Sequence, residues 1–245
     1  QPYTGRLMNR NDFDGLLKKK GTIKKAILQA FATEYFKKPA EEWDKLPVEG
    51  KSLLIISTME AYIINLLKTD RESAPLFIHA LEKEIEVSLE VMTNGRSGKI
   101  RIGGKTDRID EINGFLRVVD YKTGSMNGSD LQCKSIGELF DRSVKNLKKE
   151  IIQSLLYALI LSRSIFRESP LKAAVLSILN LNNGDFNPVV RVNKEEAEIS
   201  ALGEELEFHI QEILNEIYSG GTVFTQTGFT DRCRNCPYRT ICRRG

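Results

Sequence analysis

No apolar run in this chain approaches the roughly 18 residues of a membrane helix, and residues 1–10 lack the apolar core of a secretory signal. No G-x-x-x-x-G-K-[ST] phosphate loop occurs, which excludes an ATPase of that type. There is no internal repeat and no low-complexity tract. Neither charge sign dominates: 36 Lys and Arg against 33 Asp and Glu leave a net charge of +3, which permits nucleic-acid binding without arguing for it. Cysteines number only four, with three close to the C-terminus, too few for a disulfide scaffold. They suggest a metal or cluster site and a cytoplasmic chain without a membrane partner. Gln rather than Met at position 1 suggests a fragment or a trimmed chain.

What is present is an ordinary globular composition, 41% hydrophobic and 28% charged over 245 residues. That is long enough for one large domain or a core with an extension. Residues 1–80 read as a helical extension packed on the core. Thr22 is a candidate cap for a helix carrying Ile23, Ala26, Ile27, Ala30 and Phe31 on one stripe. Pro39 and Pro47 bracket a break around Trp43, a packing residue, before a second helix bearing Leu53, Ile56, Ile63, Leu66 and Leu67.

From about Leu81 the period changes to two, and residues 81–230 read as the core. Ile85, Val87, Leu89 and Val91 alternate with glutamates and a serine, a strand with one buried face. Asn94-Gly95 and Ser97-Gly98 supply turn chemistry before a strand running into Asp107. A third strand spans residues 115–122, and residues 124–137 read as an exposed loop. An apolar helix over 151–167, a buried strand over 173–179, a turn at 182–185, a short strand over 189–192 and a helix over 194–218 complete the core. The fold expected is α/β, a mixed sheet with helices on both faces.

The chemistry concentrates in Gly104-Lys105-Thr106-Asp107-Arg108-Ile109-Asp110 and Asp120-Tyr121-Lys122-Thr123-Gly124. A turn at Glu111-Ile112-Asn113-Gly114 would bring Asp107 and Asp120 to one end of a hairpin. Alternation puts Asp120 and Lys122 on one face and Tyr121 on the other. Two hard oxygen ligands and an ammonium group suit magnesium or manganese holding a phosphodiester.

These segments, with Gln153 and Tyr157 in Gln153-Ser154-Leu155-Leu156-Tyr157, resemble the PD-(D/E)XK nucleases and within them the RecB/AddB-like branch. The resemblance covers roughly residues 81–244. It implies a metal-dependent deoxyribonuclease, an exonuclease of DNA repair and recombination, partnered with or fused to a helicase. Asp107, Asp120 and the Tyr121 carbonyl would be metal ligands, with Glu82 (or Glu84) as a further acid. Lys122 would orient the attacking water or neutralise phosphate charge. Gln153 either positions the phosphate or satisfies buried backbone, and Tyr157 supports it. Lys105 and Arg108 are candidate DNA contacts, Arg108 having a salt bridge to Asp110 as its alternative.

The histidine that many relatives bring from an N-terminal helix has no counterpart, since only His79 and His209 occur, the latter expected to face solvent. An adaptation-type CRISPR exonuclease and a non-catalytic DNA-binding scaffold are the competing readings.

Residues 231–245 form a cysteine-rich segment. Cys233, Cys236 and Cys242, with Pro237 and Tyr238 after the second, resemble the iron–sulfur cysteines of AddB-type nucleases, which implies a [4Fe–4S] cluster in a longer protein. Only three of four thiolates lie in that segment, so the cluster is expected to be incomplete here. Cys133 is expected to be an unrelated surface thiol.

Overall fold

The structure is a computed structural model that describes residues 3–93, 96–167, 169–181, 187–221, 223 and 225–244. The turn signals at 94–95 and 182–185 lie outside the described residues. Element order is β1 (Arg6–Met8), α1 (Arg10–Lys18), α2 (Lys20–Glu34), α3 (Lys51–Glu72), β2 (Leu76–Thr93), β3 (Arg96–Ile112) and β4 (Phe115–Lys122). There follow β5 (Gln132–Cys133), α4 (Ile136–Phe140), α5 (Lys149–Ser164), β6 (Leu171–Ser177), β7 (Arg191–Val192), β8 (Glu195–Glu196) and α6 (Ile199–Tyr218).

Five strands form one mixed sheet in the order β1-β2-β3-β4-β6, antiparallel except for the parallel β4–β6 pair. The β3–β4 hairpin closes through Asn113 and Gly114, both at positive φ (53° and 78°), so Ile112 pairs directly with Phe115. Left-handed conformations at both central residues match the right-handed twist of the strands, and Asn-Gly adopts them readily. The register of the catalytic strand is thereby fixed.

β4 is buried on both faces. Leu116 and Val118 join the main core with Ile151, Leu155, Ala158 and Leu159 of α5 and Leu206 of α6. Val119 and Tyr121 face the other way, packed with Ala174, Leu176 and Leu66 of α3. Helices therefore cover both faces, as the alternation of periods suggests.

Several boundaries differ from the sequence reading. The sheet starts well before residue 81, because β2 begins at Leu76 and β1 pairs with it through Arg6–Ile78, Leu7–Phe77 and Met8–Leu76. Three residues are too short to show a period. Met8, Phe13, Leu76 and Ile78 make a small core there, so the segment before residue 81 contributes a strand as well as helices. Ser97 and Gly98 sit inside β3 rather than in a turn. The expected exposed loop at 124–137 instead buries Met126, Leu131, Cys133 and Ile136. It is pinned by Asn180, whose Oδ1 accepts from the Met126 N–H at 3.0 Å.

By length and composition, α3 is long and apolar enough to cross a membrane, with mean hydropathy 1.2. It nevertheless carries Lys51, Glu60, Lys68, Asp70, Arg71 and Glu72, and its Ile56 and Asp70 are buried within the protein. Those features fit a helix packed on a sheet.

Candidate active site

Asp107 and Asp120 lie on adjacent antiparallel strands near the open end of the β3–β4 hairpin. The carboxylate of Asp107 closes on β4 directly: its Oδ2 accepts the Tyr121 N–H at 2.7 Å. Asp120 is only 6% exposed. Lys122, two residues on and therefore on the same face, brings Nζ to 2.6 Å from Asp120 Oδ2. Lys122 Nζ also donates to Gln153 Oε1 at 3.0 Å. Burial pushes the Asp120 carboxyl above its ordinary range, Lys122 pulls it down, and the charges of Asp107 and Glu150 raise it further.

Gln153 and Tyr157 share a face of α5, one turn apart. Gln153 Nε2 donates to the Tyr157 hydroxyl at 3.3 Å. The Tyr157 ring in turn lies on Gly104 of β3, where a Cβ would stand 2.7 Å from ring Cε1. The first glycine of the motif is thus required by the last tyrosine. Sequence-expected residues Gly104, Asp107, Asp120, Lys122, Gln153 and Tyr157 all meet in one chain of contacts.

Glu82 does not join them as a third acid. It is exposed within β2, its Oε2 is paired with Lys105 Nζ at 2.5 Å, and its φ is 54°. Among the described residues, no three His, Cys, Asp or Glu side chains gather into a metal-binding group. Lys105 itself is exposed beside Glu82, Glu84 and Asp107, whose charges raise its pKa, Glu82 foremost.

Arg108 makes the alternative salt bridge with Asp110 and is a correction as a DNA contact. It is 2% exposed and lies among Asp70, Asp110 and Tyr121. Nη1 donates to Asp70 Oδ2 at 2.7 Å and to the Tyr121 hydroxyl at 3.1 Å, and Nη2 lies 2.7 Å from Asp110 Oδ2. Asp110 also accepts two bonds from Arg117, at 2.8 and 2.9 Å. Burial alone would lower the Arg108 pKa, but Asp70, Tyr121 and Asp110 hold it well above its usual value. Two arginines and two aspartates therefore balance inside the sheet–α3 interface. Arg117 was findable from sequence, since a two-residue turn at Asn113-Gly114 places it opposite Asp110. Asp70 was not, because no motif or period marks it.

Cys233, Cys236 and Cys242 are partly exposed free thiols that do not form a ligand group. Cys133 is 6% exposed in the main core, not a surface thiol. Burial, with Glu138 adding to it, raises its pKa to about 11. His209 is half-buried, stacked on Phe140 at 5.0 Å between centroids, rather than facing solvent. His79 pairs with Glu111 at 3.1 Å.

Paired acids, a lysine and a glutamine gathered at the open end of the β3–β4 hairpin fit a hard divalent cation. The buried Asp120 carboxylate brought close enough to that of Asp107 for the two charges to act on each other is the observation that favours such a guest. A profile of the PD-(D/E)XK nuclease superfamily matches residues 9–243. The chain belongs to that superfamily, and its mixed sheet flanked by helices is the corresponding restriction-endonuclease-like fold. Membership points to a metal-dependent nuclease, and enzymes of this class typically use magnesium or manganese. No match was found among the curated proteins. The crystal structure of SSO0001 aligns over 94% of this chain and 95% of that chain at 15% identity, but its TM-score of 0.27 carries no argument.

Proposed function

We propose that this chain is the nuclease domain of a RecB/AddB-like repair and recombination enzyme, an exonuclease that hydrolyses DNA with magnesium or manganese. Its partner in this reading is a helicase, fused or separate, that feeds it strands. Support comes from the order of the motifs Gly104 to Asp110, Asp120 to Gly124, and Gln153 with Tyr157. The observation that carries the reading is the position of Lys122 Nζ, between Asp120 at 2.6 Å and Gln153 at 3.0 Å. A non-catalytic scaffold has no physical need for a lysine fixed that way beside two acids.

Asp107 and Asp120 would hold the cation, with the carbonyl of Tyr121, the residue after Asp120, as a third ligand. When bound, a divalent cation supplies positive charge at the phosphate and lowers the pKa of a coordinated water. Lys122 holds a compact charge beside that phosphate, and Gln153 prevents the long side chain from wandering. Tyr157 holds Gln153. Lys105, exposed beside Asp107, is the candidate backbone-phosphate contact.

The test is magnesium-dependent cleavage of single-stranded DNA by Asp107→Ala, Asp120→Ala and Lys122→Ala proteins. Each is expected to abolish cutting, and the losses are expected not to add, since the three act as one unit. Wild-type rates in folded Asp120→Ala protein would sink the assignment.

A further inference from the structure

We infer that Asp70, in the last turn of α3, is a positioning residue for the metal-binding strand, acting through Arg108 on Tyr121. Asp70 belongs to no nuclease motif and lies 37 positions before Asp107 by residue number. It is nonetheless 6% exposed and ion-paired with Arg108, the largest buried side chain among the described residues. The same Arg108 nitrogen, Nη1, donates to Asp70 Oδ2 at 2.7 Å and to the Tyr121 hydroxyl at 3.1 Å. Tyr121 is the middle residue of Asp120-Tyr121-Lys122, and its N–H donates to Asp107 Oδ2 at 2.7 Å. One guanidinium nitrogen therefore joins the helix to the ring whose own backbone holds the first acid.

The geometry goes beyond what mere adhesion of α3 to the sheet requires. A buried ion pair is weak evidence for stability, and an apolar pair of similar volume often serves as well. An apolar pair would not fix the ring hydroxyl of Tyr121. Sharing Nη1 makes the angle of the Asp70–Arg108 contact also the angle of the tyrosine. Groups that orient ligands from behind commonly change metal affinity when removed.

This inference rests on the proposal that Asp107 and Asp120 bind a divalent cation. The experiment is calorimetric titration of the full chain with manganese, without DNA. Asp70→Asn and Tyr121→Phe are each expected to weaken manganese binding by roughly 10- to 100-fold. The double variant is expected to be no weaker than the worse single one, because both break the same link. Asp70→Asn leaves two arginines facing one aspartate, an imbalance that by itself costs stability, so Asp70→Leu/Arg108→Met is measured alongside. That pair removes one charge of each sign and leaves Asp110 with Arg117. It too is expected to bind manganese weakly while its near-ultraviolet circular dichroism stays native. Native manganese affinity in folded Asp70→Leu/Arg108→Met protein would overturn the inference and leave Asp70 a purely structural partner. Asp120→Ala separates the two levels: if it binds manganese like the wild type, the metal site itself is wrongly assigned.

Discussion

The Tyr157 ring rests on Gly104 so closely that a Cβ there would meet ring Cε1 at 2.7 Å and the hydroxyl oxygen at 2.9 Å. No side chain fits between them. Gly104→Ala must therefore push Tyr157 away from β3, and with it the hydroxyl that holds Gln153. The expected stability loss is about 1–3 kcal/mol, as for other overpacked sites. In a Tyr157→Ala background the same alanine should cost little, because the obstacle is gone. Urea denaturation of the four proteins in this cycle checks the coupling, and equal losses in both backgrounds would show that the ring is not the constraint.

Lys105 and Arg108 should respond oppositely to substitution, although only two residues separate them. Lys105 is exposed beside the acids, so Lys105→Ala is expected to reduce the salt dependence of DNA binding by about one phosphate contact. Arg108 is sealed inside. Arg108→Ala is expected to leave that slope unchanged in whatever fraction stays folded, and to lower stability by about 3–5 kcal/mol through the unpaired aspartates. Affinity measured from low to high salt, with a parallel melt, distinguishes the two.

Thiol chemistry should divide the four cysteines. Cys233, Cys236 and Cys242 are partly exposed, whereas Cys133 is buried and its pKa is raised to about 11. Iodoacetamide at pH 8 is expected to label the three C-terminal thiols first and Cys133 only on unfolding, read by peptide mass. The raised pKa also fixes a sign. Cys133 supports the folded state below the ordinary thiol range and withdraws that support as pH climbs toward 11, because the unfolded thiol ionises first.

Sequence made the hairpin end legible because its signals are local. Asn113-Gly114 names its own turn type, and alternation then sets which of Asp120, Tyr121 and Lys122 share a face. Gln153 and Tyr157 were legible from their one-turn spacing on a helix. The fate of Arg108 was less legible, since its outward or inward direction depends on Asp70, 38 residues away in sequence and on another element. β1 was lost because three residues carry no measurable period. The buried state of Cys133 was hidden among small and polar neighbours, where Met126, Leu131 and Ile136 pack despite a loop-like composition. Glu82 shows a further limit: spacing put it beside Glu84 on one face, but its pairing with Lys105 depends on the neighbouring strand, which spacing alone does not reveal.

The two-residue turn between β3 and β4 also has a consequence for how the site comes into being during folding. Asp107 and Asp120 are joined through a two-residue connection, so their strands meet at little cost in loop-closure entropy. The second partner of Lys122, Gln153, arrives only with α5, and the parallel β4–β6 pairing requires the whole crossover from Lys122 to Leu171 to be in place. Contacts of that separation form late and slowly. A chain caught with only its hairpin made would hold both acids side by side with a lysine still free to swing. Chemical competence thus waits on the least local part of the topology.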